Sequence, residues 1–199
     1  MKISNIHEQV DGIAALDDAA KRLNIDLLAL IAETAIWANP GVHKWLGERH
    51  HTAAFFPMTR RYRSKTEQRR EIVKQELLDD NTLANRAIKS AIGRKQSEIK
   101  NYTACHVWPG SCYDSQAHTV IANLVLLPSP LAALSDFHPR IVEALKCRSY
   151  ELFNWLPPHS QPPDRPPDYP TTWRTPEPFS DAVRAKLQRL NLDYLSRLS

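Results

Sequence analysis

The N-terminal quarter of the chain distributes its apolar residues with the period of an α-helix. Apolar positions recur at three- and four-residue spacing from Val10 to Leu23, and Asn24 interrupts them. Asp26 can cap a second helix, "LLALIAETAIWA", which we expect to end at Asn39-Pro40-Gly41. We therefore expect a helical N-terminal region.

The pattern changes after this second helix. Residues 47–76 are basic and have no clear apolar period, so we expect a partly irregular connection there. Asp79-Asp80-Asn81-Thr82 can then cap a further helix, "LANRAIKSAI", which Gly93 would close.

Two short runs in the middle of the chain have the composition of β-strands. One extends from Ile99 to Trp108, and the other from Asn123 to Leu127. The helical period returns from Pro130 to Trp155, and Pro139 is a suitable first residue for the second half of that segment. The order strand, loop, strand, helix predicts a hairpin followed by a helix.

Proline dominates the next segment. Nine of the fifteen prolines lie between Pro157 and Pro178, where the lack of free N–H groups predicts an extended chain. Tyr169 and Trp173 indicate that this segment lies against the core. We expect a terminal helix from Asp181 to Leu198.

These elements predict a mostly helical α+β fold. We divide the chain into a helical region at 1–98 with a basic segment at 59–72, a ββα hairpin-helix core at 99–156, and a Pro-rich wrap with a terminal helix at 157–199.

Composition narrows the class of protein. Charged residues make up 24% and hydrophobic residues 42% of the 199 residues, which is ordinary for a globular protein. No apolar run approaches the length of about 18 residues that a membrane span needs. Three cysteines are too few for a disulfide scaffold. We therefore expect a cytoplasmic protein with no membrane partner.

Basic charge is concentrated in Thr59–Ile72, "TRRYRSKTEQRREI", where six Lys or Arg residues stand against two Glu. The net charge of +4 favours an anionic partner. A solvated surface is the ordinary explanation of such a run, but Tyr62 among the charges favours contact with phosphates. The candidate nucleic-acid-binding residues are Arg60, Arg61, Arg63, Arg69 and Arg70.

Two half-motifs lie in the predicted hairpin. "CHVWP" (Cys105–Pro109) ends the first strand, and "NLVLL" (Asn123–Leu127) opens the second. Together they resemble the HNH, or ββα-metal, nuclease motif, which opens with H-[IV]-x-P and has N-L-x-x-L at its centre. The resemblance covers residues 99–150, about a quarter of the chain.

The resemblance implies an endonuclease that hydrolyses phosphodiester bonds of double-stranded DNA, in restriction or another defence against foreign DNA. It implies that His106 is the general base that deprotonates water, since an imidazole titrates near neutrality. Asn123 would orient the loop. A divalent metal ion, Mg²⁺ or Mn²⁺, would stabilise charge on the phosphate. Assembly into a homodimer is left open.

The sequence departs from the family pattern at both usual ligand positions. Cys105 stands where the family often has Asp or His, and a thiolate is a poor ligand for magnesium. Apolar Pro130–Leu134 stands where the helix usually carries a ligand. We therefore take Asp136 and His138 as the metal ligands, with Asp114 in reserve. Asp136 could instead cap the following helix.

Two other functions remain open. A hairpin-helix protein that lacks metal ligands would be a catalytically silent DNA-binding protein. Alternatively, Cys105, Cys112 and Cys147, with His118 or His138, could hold a zinc ion in an interaction module. The spacing of the first two cysteines is looser than in common zinc sites. His118 otherwise has no predicted partner.

Overall fold

The computed structural model describes residues 11–50 and 52–195, apart from the side chains of residues 50, 96 and 190–195. The chain has the α+β fold that the sequence predicts, and no helix in the described ranges is long and apolar enough to cross a membrane. The helices are α1 (Gly12–Arg22), α2 (Leu27–Thr34), α3 (Pro40–His50), α4 (Thr82–Ala91), α5 (Leu134–Phe137), α6 (Pro139–Phe153) and α7 (Asp181–Leu195). The strands are β1 (Thr59–Arg61), β2 (Ile72–Val73), β3 (Glu76–Asp79), β4 (Tyr102–His106) and β5 (Leu124–Pro128).

The N-terminal helices form as predicted but end differently. Asp26 caps α2, and its Oδ1 accepts a hydrogen bond of 2.9 Å from the backbone N–H of Leu28. The helix ends at Thr34 because Ile36 leaves it to pair with Leu126 of β5 through two backbone hydrogen bonds of 2.9 and 3.1 Å. Pro40 is the first residue of α3, a position whose backbone N–H has no hydrogen-bond partner within the helix, so the lack of an N–H in proline does not destabilise the helix. The expectation that the second helix continues to Ala38 and is ended by Asn39-Pro40-Gly41 is therefore wrong.

The basic connection is more regular than its sequence predicts. It holds a small three-stranded sheet of order β1-β3-β2, in which β1 runs parallel and β2 antiparallel to β3. Lys74 and Gln75 form the tight turn between β2 and β3 with φ values of 50° and 69°. Such a turn favours Asn or Gly, so this sequence gives no turn signal.

The predicted hairpin is present. β4 and β5 pair antiparallel, and His106 stands opposite Leu124 in the register. β5 is buried along nearly its whole length, as a continuous apolar run predicts. The loop between the strands returns to the hairpin through a 3₁₀ turn at Ile121–Asn123.

Two helices follow the hairpin. Pro139 is the first residue of α6, as expected. Asp136 lies inside the short helix α5 and does not cap α6, whose preceding residue is His138. The expectation of a cap at Asp136 is therefore wrong.

The Pro-rich segment contains no helix or strand between α6 and α7 and lies against the core, as predicted. Trp173 contacts Trp37 with ring centroids 6.4 Å apart. The backbone N–H groups of Arg174 and Glu177 donate to the carbonyl oxygens of Ala32 and Trp37. One cluster of buried apolar side chains joins all three regions of the chain.

Candidate functional site

Asn123 holds the loop that follows His106. Its side chain is fully buried. Its Oδ1 accepts from the backbone N–H of Trp108 at 3.2 Å, and its Nδ2 donates to the carbonyl oxygen of Ala117 at 2.9 Å and to Ser111 Oγ at 2.8 Å. These bonds tie Trp108 and Asn123, at the two ends of the loop, to Ser111 and Ala117 in its middle. They therefore hold the end of β4 at His106 in one direction.

His106 is the outer member of a chain of three side chains. His106 Nε2 lies 3.2 Å from His118 Nδ1 and 3.0 Å from the carbonyl oxygen of His118. His118 Nε2 lies 3.1 Å from Asp79 Oδ2. His118 is fully buried, and Asp79 is 3% exposed. The buried carboxylate thus reaches His106 through one imidazole.

The partners of these rings determine which nitrogens carry protons. The Asp79 carboxylate can only accept, so His118 Nε2 donates and His118 Nδ1 accepts. His106 Nε2 faces two acceptors and therefore donates. No hydrogen bond within residues 11–50 and 52–195 reaches His106 Nδ1. In the neutral ring, this nitrogen keeps a free lone pair.

His106 is neutral at physiological pH. Burial lowers the pKa of His106 to about 3, and the neighbouring His118 ring and the charge of Arg61 act in the same direction. The hydrogen bond to the backbone of His118 and the Asp79 carboxylate oppose the shift. The resemblance led us to expect a pKa near neutrality. The ring is ready to accept a proton, but it is a weaker base than expected.

Arg61 lies beside this chain because β1 pairs in parallel with β3, which places Arg61 opposite Asp79 in the register. Neighbouring protein atoms partly desolvate the half-buried Cys112 and the surface carboxyl of Asp136 and raise their pKa values, and the charge of Arg61 opposes both shifts. One exposed guanidinium therefore acts on three groups. Arg61 interacts electrostatically with His106, Cys112 and Asp136, and we call the surface around these four residues the His106 face.

The other predicted phosphate-binding residues have different surroundings. Arg60 is only 7% exposed, and its guanidinium contacts Glu76 Oε2 at 2.6 Å and Glu67 Oε1 at 2.9 Å. We expected Arg60 to contact phosphates, but its guanidinium is instead bound by these two carboxylates at the small sheet. Arg69 contacts Asp80 at 3.2 Å.

Among the described residues, two arginines of the basic segment make no ion pair with a carboxylate. Arg63 Nη2 donates to the carbonyl oxygen of Tyr113 at 2.9 Å, which leaves its charge unpaired. Arg70 is exposed, and within the described ranges its side chain makes no ion pair. Arg61, Arg63 and Arg70 are therefore the remaining candidates for phosphate contact.

The two predicted metal ligands face different neighbours. Asp136 is exposed on the His106 face. The ring of His138 is nearly buried, and its Nε2 lies 3.5 Å from Asp17 Oδ1 of α1. Asp114, the reserve ligand, accepts from the backbone N–H of Gln116 at 2.8 Å. In the part of the chain that the structure describes, no group of three or more His, Cys, Asp or Glu side chains is placed to hold a metal ion.

The alternative zinc ligands are also apart. The thiol of Cys147 donates to the carbonyl oxygen of Asp164 at 3.1 Å, in the Pro-rich segment. Cys105 is buried on β4, and burial raises the pKa of its thiol to about 11. His118, a proposed fourth ligand, is occupied by Asp79.

Sequence reasoning did not predict the contact between His118 and Asp79. Asp79 carries a cap signal, and its Oδ2 does accept from the backbone N–H of Leu83 at 2.9 Å. The same carboxylate also meets His118, a contact that depends on the pairing of β3 with β1. No spacing rule links these two residues.

Comparisons of the chain with protein-family models, with curated protein sequences and with solved structures find no match.

Proposed function

We propose that the chain is an HNH-type endonuclease that hydrolyses DNA phosphodiester bonds at the His106 face. The Asp79–His118–His106 chain carries this proposal, because it leaves His106 Nδ1 as a proton acceptor in the electrostatic range of the exposed guanidinium of Arg61. Phosphodiester hydrolysis needs a base for water and a cation for the phosphate oxygens. Both are present on one face.

In this proposal His106 Nδ1 accepts the proton of the attacking water. The resulting imidazolium keeps its Nε2–H directed at His118, whose own Nε2–H is directed at Asp79. The buried carboxylate thereby stabilises positive charge on His106 and offsets part of the low pKa. Arg61 binds a non-bridging phosphate oxygen. Asn123 keeps the loop, and with it His106, in place.

A divalent ion fits this face only in part. Asp136 supplies one hard oxygen ligand, which suits a magnesium site completed by DNA phosphate and water. Bound there, such an ion would neutralise charge on the phosphate. His138 has no place in that set, because its ring faces Asp17.

A catalytically silent DNA-binding protein is the second candidate. It is favoured by the pKa of about 3 at His106 and by the finding that, among the described residues, no three His, Cys, Asp or Glu side chains are grouped to hold a metal ion. Both candidates require DNA binding, and only the first requires cleavage.

Nicking of supercoiled plasmid with magnesium or manganese separates these candidates. We expect the wild-type protein to cleave, and His106→Gln to lower the rate by a factor of about 10² or more with DNA affinity nearly unchanged. The matched control is His159→Asn, which alters an exposed histidine in the Pro-rich segment. Equal cleavage by His106→Gln and the control would refute His106 as the base. DNA binding without cleavage by the wild type would favour the silent protein.

A further inference from the structure

A second concave surface lies along one face of α4. It is a cavity of about 700 Å³ into which Arg86 and Lys89 project from successive turns of the helix. Arg94 and Lys95 follow α4, and Lys186 comes from α7. The volume is within the range of sites for small ligands. We call it the α4 cavity.

Lys89 has no partner that explains its position. The residue is 5% exposed, and it lines the α4 cavity. Within the described ranges its ammonium makes no hydrogen bond or ion pair, and burial lowers its pKa. A buried charge without a partner destabilises a fold. A bound anion would supply the missing partner.

The charge of the cavity is one-sided. Five of its lining residues are cationic, and no described residue that lines it carries a carboxylate. Arg94 has a long contact of 3.8 Å with Glu177, which lies outside the lining. Burial lowers the pKa of Lys186, the carboxylate of Glu98 outside the lining opposes this shift, and the charge of Lys95 adds to it. Like charges are thus held together here.

We propose that the α4 cavity binds a small ligand that carries a chain of two or three phosphates, such as a nucleoside triphosphate. Several charges close together match a cluster of Lys and Arg, which are the common phosphate-binding side chains. The phosphates of duplex DNA lie on a convex surface, and they would not reach an ammonium as enclosed as that of Lys89. Tyr102 also lines the cavity, and its hydroxyl donates to the carbonyl oxygen of Thr34, which holds its side chain in place. An aromatic residue beside such a cavity suits a nucleobase.

Lys89→Met and Arg86→Gln test this site, with Lys44→Gln as the control of equal charge change. Lys44 is on α3, and its side chain is 80% exposed. Titration calorimetry with inorganic tripolyphosphate should give a dissociation constant on the order of 10 µM for the wild type and the control. Each cavity variant should weaken binding by a factor of about 10 or more. Lys89→Met should fold with at least the wild-type melting temperature, because it removes a buried charge.

Further titrations with ATP and with a single-stranded oligonucleotide identify the source of the phosphates. Tighter binding of ATP than of tripolyphosphate supports a nucleotide. No binding of either ligand up to about 5 mM would overturn the proposal. It would also be overturned if Lys44→Gln lost as much affinity as Lys89→Met. Binding of the oligonucleotide alone, weakened by Lys89→Met, would assign the cavity to a nucleic-acid strand and overturn the small ligand. The proposal is independent of the nuclease activity, which none of these titrations measures.

Discussion

Mild acid should destabilise this protein because its fold holds two histidine rings neutral. Burial lowers the pKa of His106 to about 3 and that of His43 to about 4, from an ordinary value of 6.5. His43 packs against Phe153, and its buried Nδ1 has no hydrogen-bond partner within residues 11–50 and 52–195. Below pH 6.5 the unfolded chain binds a proton at each ring and the folded chain does not. The free energy of unfolding therefore falls as the pH falls from 6.5 toward the folded pKa values.

The size of this effect follows from the two shifts. A pH of 5 is about 1.5 units below the ordinary pKa of each ring and still above its folded pKa. Protonation of the unfolded chain therefore lowers the free energy of unfolding by about 2 kcal/mol for each ring. Together they remove about 4 kcal/mol, a large part of the roughly 5–15 kcal/mol by which domains are stable. Most carboxyl groups titrate below pH 5, so the histidines dominate between pH 7.5 and 5.

Urea denaturation at pH 7.5 and pH 5, followed by tryptophan fluorescence, measures this loss. His43→Gln and His106→Gln should each remove about half of the difference between the two pH values. His159→Asn is the control, because His159 is exposed with φ near 64°, a conformation that Asn accepts. A loss below about 1 kcal/mol in the wild type would refute the reasoning. So would an undiminished loss in both variants.

Four more predictions concern individual contacts. Arg60→Met should lower the free energy of unfolding by about 3 kcal/mol, because it leaves two carboxylates without their partner, and should not change the salt dependence of DNA binding. Arg61→Gln should reduce the slope of log affinity for DNA against log salt concentration by about 0.9 and leave the free energy of unfolding nearly unchanged. A changed salt slope in Arg60→Met, with an unchanged slope in Arg61→Gln, would contradict the structure. Asn123→Ala should cost about 2–4 kcal/mol in urea denaturation, since it leaves buried loop groups unpaired, whereas a loss under about 1 kcal/mol would show that the loop holds without it. Nitrogen-15 NMR at pH 7 should find His106 and His118 protonated at Nε2, and protonation at Nδ1 in either ring would disprove the ordered chain.

The sequence predicts the elements that depend on local pattern. The periods of α1, α4 and α6, the cap at Asp26 and the apolar run of β5 all have a local physical cause. The small sheet escaped prediction because Lys74 and Gln75 occupy a turn that ordinarily favours Asn or Gly. The end of α2 escaped it because Ile36 is drawn into a distant strand pairing. Tertiary contacts override local preference at both places.

The residues of the candidate site also differ in whether the sequence alone can predict them. His106 and Asn123 could be proposed from short motifs, and the structure places them at the two ends of one loop. Asp79 and His118 lie 39 residues apart and meet only after β3 is in place. The low pKa of His106 depends on burial, which no motif records. Arg60 and Arg61 are adjacent in sequence, yet one is enclosed by carboxylates and the other is exposed.

The course of the Pro-rich segment also affects how the chain can fold. Arg174 and Glu177 bond to the backbone near α2, so the final layer of the core joins residues about 140 positions apart. Contacts between distant positions slow folding, because a long loop must close before they form. During synthesis the N-terminal helices emerge well before this segment and must wait with Trp37 uncovered. A ribosome that stalls before residue 170 would therefore release a chain with an incomplete core, which chaperones would bind.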